Sequence, residues 1–350
     1  MNSALIRGYG LMGKAVAGIF RGAGLKTTVQ SGRAAQLAGT QPGVDFVTEL
    51  PKDPPDLFLE LVPEDLETKR AVFREVEAKY GDAPFLLGTG TSGLDLNVLA
   101  AGLRRPERLI AVHFYMPAEQ IPIVEIGAGP ATPREAVDRV AALLERAGKL
   151  PLKLYSPVVG FIVNRLQHAI LHEAYWMITE GIATAQDIDF AAARMLGPRM
   201  CASGLILQKD ISGLKVNRDA QRAIVPHLFH NNEPNRLPGD LFAKGESGLL
   251  AGKGFYDWAG LDAAEVRKVA ARELQKLIAF LDAAGHVALG GGKAALQRGF
   301  GPVVGSGHAV GARYGGGEQR KNDEKISNHC VLLVFNCRAR APWAARAPCS

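Results

Sequence analysis

The sequence has few cysteines and no long apolar run, and both scarcities narrow the class of protein. Four of its 350 residues are cysteines, and none belongs to a C-x-x-C pair: Cys201, Cys330, Cys337 and Cys349. This spacing argues against a disulfide framework or a zinc site. No apolar stretch approaches the ~20 residues that span a bilayer, and the first residues lack the pattern of a signal peptide. We therefore expect a cytoplasmic protein with no membrane segment and no metal.

Acidic side chains are scarce only near the carboxyl terminus. The chain has 41 Lys and Arg against 35 Asp and Glu, a net charge of +6. Residues 288–350 hold nine of the basic and three of the acidic side chains, so this segment accounts for the whole excess. It is rich in glycine from 290 to 317 and lacks the interleaved aromatic residues of single-strand nucleic-acid binders. These features predict a basic, disordered tail and no nucleic-acid partner.

The rest of the chain divides into two regions with different patterns of predicted secondary structure. With 47% hydrophobic residues, the chain is long enough for two domains with their own cores. Apolar strands alternate with helical spacing in the first half, whereas long helices follow Gly160, one of them starting with Thr184 and Asp187 as a capping pair. We predict an α/β fold, a Rossmann-type doubly wound parallel sheet followed by an all-α C-terminal domain. The predicted boundaries are 1–155 for the sheet domain, 156–287 for the helical domain and 288–350 for the tail.

A glycine-rich turn follows the first predicted strand, Ala4 to Ile6. The motif G-x-G-x-x-G here consists of Gly8, Gly10 and Gly13, with Leu11 and Met12 at the start of a helix. Such glycines permit a tight turn and close approach of the backbone to a pyrophosphate, and the helix N-terminus favours phosphate. This context of strand, turn and helix predicts a dinucleotide-binding site.

The end of the second predicted strand lacks the expected carboxylate. An Asp or Glu about 20 residues after the glycines normally binds the adenosine ribose. Here the chain reads Gln30, Ser31, Gly32, Arg33. The Ser31 hydroxyl and the Arg33 guanidinium suit a ribose 2′-phosphate, because the guanidinium can bind two phosphate oxygens and no carboxylate at this position would repel the phosphate. NADP is therefore a candidate beside NAD, and the alternative is that Arg33 is a solvated turn residue.

Two apolar strand-like runs at 109–126 each carry one ionisable residue, His113 and Glu125. The connection contains Pro117 and Pro122 and is long enough to fold the second run back beside the first. An imidazole held by a carboxylate makes a general base near neutral pH, because the carboxylate fixes one ring nitrogen and stabilises the imidazolium. The alternative is a buried histidine with an unrelated rim glutamate.

Over about residues 4–260 the chain resembles the 3-hydroxyacyl-CoA dehydrogenase family. The resemblance rests on ordered motifs: GYGLMG at 8–13, VPEDLETK at 62–69, TSGL at 91–94, HFYMP at 113–117, VEI at 124–126, GFIVNR at 160–165, EGIATAQDID at 180–189 and GFYDW at 254–258. The segment at 164–174 is similar to the branch with L-gulonate 3-dehydrogenase and the λ-crystallins. Several motifs in the same order indicate the family more specifically than the glycine motif alone.

The resemblance implies a set of roles and partners. By it, His113 is the catalytic base with Glu125 as its partner, Ser92 and Asn164 lie beside the reacting hydroxyl, and Glu64 and Lys69 contact the cofactor. It also implies NAD, a small-molecule substrate and a homodimer formed through the helical domain. The reaction implied is the interconversion of a 3-hydroxyacyl-CoA and a 3-ketoacyl-CoA.

Departures from the family pattern leave two alternatives open. Met116 stands where better-known members have Asn, the segment from Arg33 to Asp56 lacks a helical insertion, and Leu207 ends a turn that has lost a proline and a carboxylate. One alternative is a dehydrogenase of a short free 3-hydroxy acid. The other is a nucleotide-binding relative without turnover.

Overall fold

Eight strands form one sheet within residues 1–283, the part of the chain that the computed structural model describes. In chain order they are β1 (Ser3–Arg7), β2 (Lys26–Gln30), β3 (Val44–Val47), β4 (Leu57–Glu60), β5 (Leu86–Thr89), β6 (Leu109–Phe114), β7 (Ile123–Ala128) and β8 (Leu150–Leu154). Their order across the sheet is β3-β2-β1-β4-β5-β6-β7-β8. Every pair is parallel except β6 with β7. The carboxyl ends of β1, β2, β4, β5 and β6 therefore lie along one edge, together with the start of β7.

Helices cover both faces of the sheet and make up the rest of the described chain. Those that connect strands are α1 (Leu11–Gly22), α2 (Ala34–Leu37), α3 (Leu66–Tyr80), α4 (Leu96–Ala100) and α5 (Arg134–Arg146). After β8 come α6 (Val163–Thr179), α7 (Ala185–Ala191), α8 (Gly197–Ser203), α9 (Leu207–Ser212), α10 (Leu214–Ile224), α11 (Leu237–Ala243) and α12 (Ala263–Ala283). A π-helical segment, Ala192–Leu196, joins α7 to α8.

Both faces of the sheet are buried, and the strand sequences show why. Side chains alternate between faces along a strand. In β1, Ala4 and Ile6 join the apolar cluster beneath α1 and α5, whereas Leu5 joins the cluster beneath α3. In β6, Val112 packs on the first side, and Ala111 packs on the second. The continuous apolar character of these strands follows from a sheet covered on both sides.

The predicted fold class is confirmed, and at the start of α5 the structure departs from the local sequence pattern. The spacing of Thr132 and Glu135 is typical of a capping box, yet Pro133 is the N-cap of α5 and no side chain caps this helix. The Thr132 hydroxyl instead binds the carbonyl of Leu109 and the amide of Gly129. Tertiary hydrogen bonding to β6 thus replaces the local cap. At α7, Thr184 and Asp187 do form the capping box.

Strand β3 lies where the sequence pattern indicates no strand. Its four residues, Val44–Val47, include Asp45 and pair with β2 at the sheet edge. So short a segment shows too little alternation to be recognised.

The predicted tail at 288–350 lies outside the described residues. The domain boundaries at 155 and 287 stay predictions, although β8 ends at Leu154 and the elements described between it and residue 283 are all helical.

Candidate active site

The glycine turn after β1 leaves no room for side chains at two of its three glycines. Gly8 has φ of +108°, and a Cβ there would lie 2.4 Å from the Leu61 carbonyl oxygen. A Cβ at Gly13 would lie 1.9 Å from the Gly8 carbonyl oxygen, so both positions exclude a side chain. Gly10, the N-cap of α1, has open space on its Cβ side. The first amides of α1, at Leu11 and Met12, follow directly after Gly10, and their contact with a phosphate group stays a prediction.

The turn after β2 places Ser31 and Arg33 at the same edge of the sheet. The Ser31 amide donates to the Val47 carbonyl, and its hydroxyl accepts from the Arg33 amide at 3.2 Å. Arg33 is exposed, and within residues 1–283 its guanidinium takes part in no ion pair. The position thus offers a free cation and no carboxylate from the strand end.

The Glu64 carboxylate organises the loop after β5. Its Oε1 accepts hydrogen bonds from the Ser92 amide at 2.9 Å and the Gly93 amide at 3.0 Å, and from the Thr91 hydroxyl. Burial alone would raise the pKa of Glu64, but these hydrogen bonds and the Lys69 charge outweigh it and lower that pKa. Glu64 is therefore a carboxylate at neutral pH, and it holds Ser92 at the edge of the sheet.

Lys69 is buried rather than open to the cleft. Its amine lies 2.8 Å from Glu60 Oε1, 3.0 Å from Glu60 Oε2 and 3.3 Å from Glu64 Oε2, and only 1% of the residue is exposed. Glu60, the last residue of β4, is fully buried and also accepts from the Thr89 hydroxyl and the Val62 amide. Lys69 thus ties α3 to the strand ends, and its direct contact with a cofactor stays a prediction.

His113 and Glu125 are directly opposed across the antiparallel pair of β6 and β7. The distance from His113 Nδ1 to Glu125 Oε2 is 3.1 Å. Because the register places the two side chains on the same face of the sheet, they meet without any distortion of the strands. With its proton on Nδ1, the ring leaves Nε2 as the basic nitrogen. His113 is 6% exposed and Glu125 is fully buried.

Further donors surround the Glu125 carboxylate. Its Oε1 accepts from the amides of Ile162 and Val163 at 2.8 and 3.0 Å, and its Oε2 accepts from the Tyr115 hydroxyl at 2.6 Å. Burial alone would raise the pKa of Glu125, yet the hydrogen bonds from His113, Tyr115 and the two amides lower it overall. The carboxylate is therefore ionised and joins β7 to the start of α6.

Phe161 packs against one face of the His113 imidazole. Its ring stacks on His113 with centroids 5.3 Å apart, and it is 3% exposed. Phe161 has φ of +49°, and a Cβ at Gly127 would lie 2.7 Å from its ring. The glycine on β7 is thus needed where the aromatic ring packs. Asn164 follows on the first turn of α6, and Met116, half exposed, follows Tyr115.

The structure groups the predicted site residues into two clusters along one sheet edge. His113 and Glu125 form one, beside the helix start that carries Asn164, and Glu64, Lys69 and Ser92 form the other. Among the described residues no hydrogen bond joins His113 to Ser92 or to Asn164. Their roles toward a substrate stay predictions.

Four contacting residues escape prediction from the sequence: Glu60, Thr91, Tyr115 and Phe161. Tyr115 carries a usable signal, because it follows His113 by two residues and side chains two apart on an extended chain share a face. Thr91 precedes Ser92 in the loop already singled out. Glu60 ends an apolar strand, and a single carboxylate at such a position indicates a buried cationic partner.

A parallel sheet with a glycine turn between its first strand and helix, and with ionisable side chains along the carboxyl edge, defines the class of Rossmann-type dinucleotide-binding proteins. Within residues 1–283 no group of three potential metal ligands converges. No helix in the same range has the length and apolar content to cross a membrane.

Comparison with known families gives the narrower assignment. The model described as 3-hydroxyacyl-CoA dehydrogenase, NAD binding domain, matches residues 43–156, and the C-terminal domain model of the same family matches residues 160–258. The chain therefore belongs to the 3-hydroxyacyl-CoA dehydrogenase family, and its NAD-binding domain indicates NAD(H) as cofactor. The matched range begins after the glycine turn and after Arg33.

Individual relatives include proteins named for different substrates. The chain is 33% identical to L-carnitine dehydrogenase of Oceanobacillus iheyensis over 49% of this chain and 55% of that protein. It is 37% identical to the lambda-crystallin homolog of Homo sapiens over 41% of this chain and 45% of that protein. These alignments span about half the length of each relative.

A solved structure covers more of the chain. It is a 3-hydroxyacyl-CoA dehydrogenase from Archaeoglobus fulgidus, with 29% identity and a TM-score of 0.59. The alignment covers 81% of this chain and 99% of that one. The sheet and the helices that follow it are thus a shared architecture, and the predicted family is confirmed.

Proposed function

We propose that this protein interconverts a 3-hydroxyacyl-CoA and the corresponding 3-ketoacyl-CoA with a nicotinamide dinucleotide as redox partner. The observation that carries the proposal is the His113–Glu125 pair at the edge of the sheet, within a chain of the dehydrogenase family. Gly8, Gly10 and Gly13 would hold the pyrophosphate, and Glu64 would lie beside the nicotinamide side of the site. The bound cofactor supplies the acceptor or donor of hydride.

The residues of the chain account for the proton. In the oxidative direction, His113 Nε2 removes the proton from the 3-hydroxyl group, while Glu125 stabilises the imidazolium that forms. In the reductive direction the imidazolium returns that proton to the carbonyl oxygen. Ser92 and Asn164 would orient the substrate oxygen by hydrogen bonds. Because Glu125 already accepts from two backbone amides, it stays ionised and does not take the proton itself.

A short free 3-hydroxy acid is the second candidate substrate. Met116 beside His113 and the compact connection between β2 and β3, with the four-residue helix α2, favour it. L-carnitine, which names one relative, carries no CoA. A nucleotide-binding protein without turnover is the third candidate.

The cofactor test comes first, because it does not depend on the substrate. Titration of the protein with NADH and NADPH, followed by fluorescence, gives both dissociation constants. Arg33 and Ser31 predict measurable NADPH binding. The variant Arg33→Gln should weaken NADPH and leave NADH unchanged, with Arg21→Gln as a control on the outer face of α1.

The substrate test follows in the same sample. Oxidation of the reduced cofactor on addition of acetoacetyl-CoA supports the thioester reaction, whereas oxidation only with a free 3-keto acid supports the second candidate. The variant His113→Gln should lower kcat by roughly 10²–10⁴, about 3–5 kcal/mol of transition-state stabilisation, with NADH binding retained. His227→Gln, an exposed histidine, is the matched control. Tight NADH binding without oxidation by either substrate would support the third candidate.

We also propose a homodimer formed through the helical region and a cytoplasmic location. Many large apolar residues after α6 are exposed in the single chain, among them Phe190, Ile211, Leu214, Val216 and Phe242. Exposure of so many large apolar side chains is typical of a surface that an interface covers.

A further inference from the structure

We infer that the Tyr115 hydroxyl sets the basicity of the His113–Glu125 pair, acting as a positioning residue through its hydrogen bond to Glu125. This inference rests on the proposed role of His113 as the base.

The contact geometry makes Tyr115 and His113 competitors for one oxygen. Both bind Glu125 Oε2, at 2.6 Å from the phenol and 3.1 Å from the imidazole. The phenol is the closer donor. The two rings also pack edge to face with centroids 4.6 Å apart, so their approach to the shared oxygen is fixed.

The phenol stays a donor at every pH at which the enzyme would work. Burial first, and then the Glu125 carboxylate, raise the pKa of Tyr115 above its ordinary value. A protonated phenol disperses part of the carboxylate charge. The imidazolium of His113 is then less stabilised than it would be beside a carboxylate without that donor.

Within residues 1–283, no further titratable side chain is hydrogen-bonded to Glu125. On β6 and its extension, Glu125 is in contact with His113 and Tyr115; from α6 it receives only the backbone amides of Ile162 and Val163. On the β8 side its register partner is Leu152, which is apolar. Among the described residues, Tyr115 is thus the one titratable side chain besides His113 that is bonded to this carboxylate.

The test is the variant Tyr115→Phe in the full chain, which removes one oxygen and keeps the ring. The pKa of His113 is measured by NMR titration of the imidazole without substrate, and His113→Gln identifies the signal. We expect the pKa of His113 to rise by roughly half a unit to one unit, since one unit corresponds to about 1.4 kcal/mol and a hydrogen bond to a charged group contributes about that much. An unchanged or lower pKa would overturn the inference.

The matched control is Tyr155→Phe. The Tyr155 hydroxyl also donates to a carboxylate, Asp138, but on an exposed surface. This variant should leave the pKa of His113 unchanged. Replacement of Tyr115 by 3-fluorotyrosine, a stronger donor with the same ring, should lower the pKa of His113, and it provides the test if the phenylalanine variant does not fold. A shift in the same direction for both replacements would contradict the assigned role.

Kinetics separates this inference from the proposed reaction. In the oxidative direction the base must be neutral, so the acid limb of kcat/KM should move to higher pH in Tyr115→Phe by the amount seen in the NMR titration. At acid pH, kcat/KM of the variant is then about three- to tenfold below that of the native protein, and the difference disappears at the higher pH where kcat/KM no longer changes. If the pKa of His113 shifts in Tyr115→Phe but the native protein turns over neither substrate, the proposed reaction is rejected and the inference stands. If the native protein turns over a substrate but the pKa of His113 does not move in Tyr115→Phe, the reaction stands and the inference is rejected.

Discussion

At the scale of single residues, Glu125 shows how a carboxylate can be buried and remain charged. Four donors surround it: His113 Nδ1, the Tyr115 hydroxyl and the amides of Ile162 and Val163. A buried carboxylate without partners would take up a proton instead. The same bonds that keep it ionised also hold the imidazole in one orientation.

The lowered pKa of Glu125 predicts a pH-dependent contribution to stability. A group whose pKa is lower in the folded state stabilises it above the ordinary glutamate value of 4.5, and this contribution disappears as the pH falls through the folded value. Glu125→Gln should therefore reduce the free energy of unfolding by about 1–3 kcal/mol at neutral pH. Urea denaturation at several pH values measures it.

The difference between the native protein and Glu125→Gln should shrink as the pH falls below 4.5. A difference that stays constant down to the acid end would show that packing, and not the charge, is responsible. Glu135→Gln, on the exposed first turn of α5, is the control and should show no such trend.

At the scale of elements, the buried pair of Lys69 and Glu60 joins α3 to the end of β4. Removal of one partner leaves the other charge buried and unpaired. We expect Lys69→Met to lower the free energy of unfolding by about 3–5 kcal/mol, measured by chemical denaturation.

Two further variants test this prediction. In the double variant Glu60→Gln/Lys69→Met, no fully buried charge is left unpaired, and Glu64, which also loses Lys69, is partly exposed and keeps its hydrogen bonds from the 91–93 loop, so part of the stability should return. Lys153→Met breaks the exposed pair with Asp138 and should have no measurable effect. A similar loss in both lysine variants would contradict the assigned burial effect.

The parts of the fold with strong local signals are the parts that the sequence predicts. The glycine turn, the apolar strands β1, β4 and β6, and the capping box of α7 each follow from patterns of a few residues. The contacts that escape prediction depend on distant segments: Tyr115 meets Glu125 only through strand register, and Thr132 leaves its expected cap for the Leu109 carbonyl. Lys69 precedes Val72 and Phe73 by three and four residues, so the helical spacing places it on the apolar face of α3, where the structure buries it beside Glu60.

At the scale of the whole molecule, exposed apolar side chains predict a homodimer. Leu214 at the start of α10 is 63% exposed. Leu214→Glu should shift the protein from dimer to monomer in sedimentation velocity experiments, because a charge in an apolar interface is costly. Leu150→Glu on β8, a comparably exposed leucine at the sheet edge, is the control and should leave the dimer intact. A native protein that sediments as a monomer would refute the prediction.

Truncation tests the independence of the site from the tail. All the candidate site residues lie between Gly8 and Asn164, and the last described helix, α12, ends at Ala283. Removal of residues 290–350 should therefore leave the NADH dissociation constant unchanged, as measured by fluorescence titration. A truncated protein that folds and no longer binds nucleotide would contradict this prediction.

The two oxygens of Glu125 have an evolutionary consequence. One accepts hydrogen bonds from His113 and Tyr115 and the other from the amides at the start of α6, so this glutamate contributes to stability whether or not a substrate turns over. His113 is under a different constraint, because its second nitrogen matters only for chemistry. In a lineage that drifts from the proposed enzyme to a binding protein, we therefore expect the histidine to be lost before the glutamate.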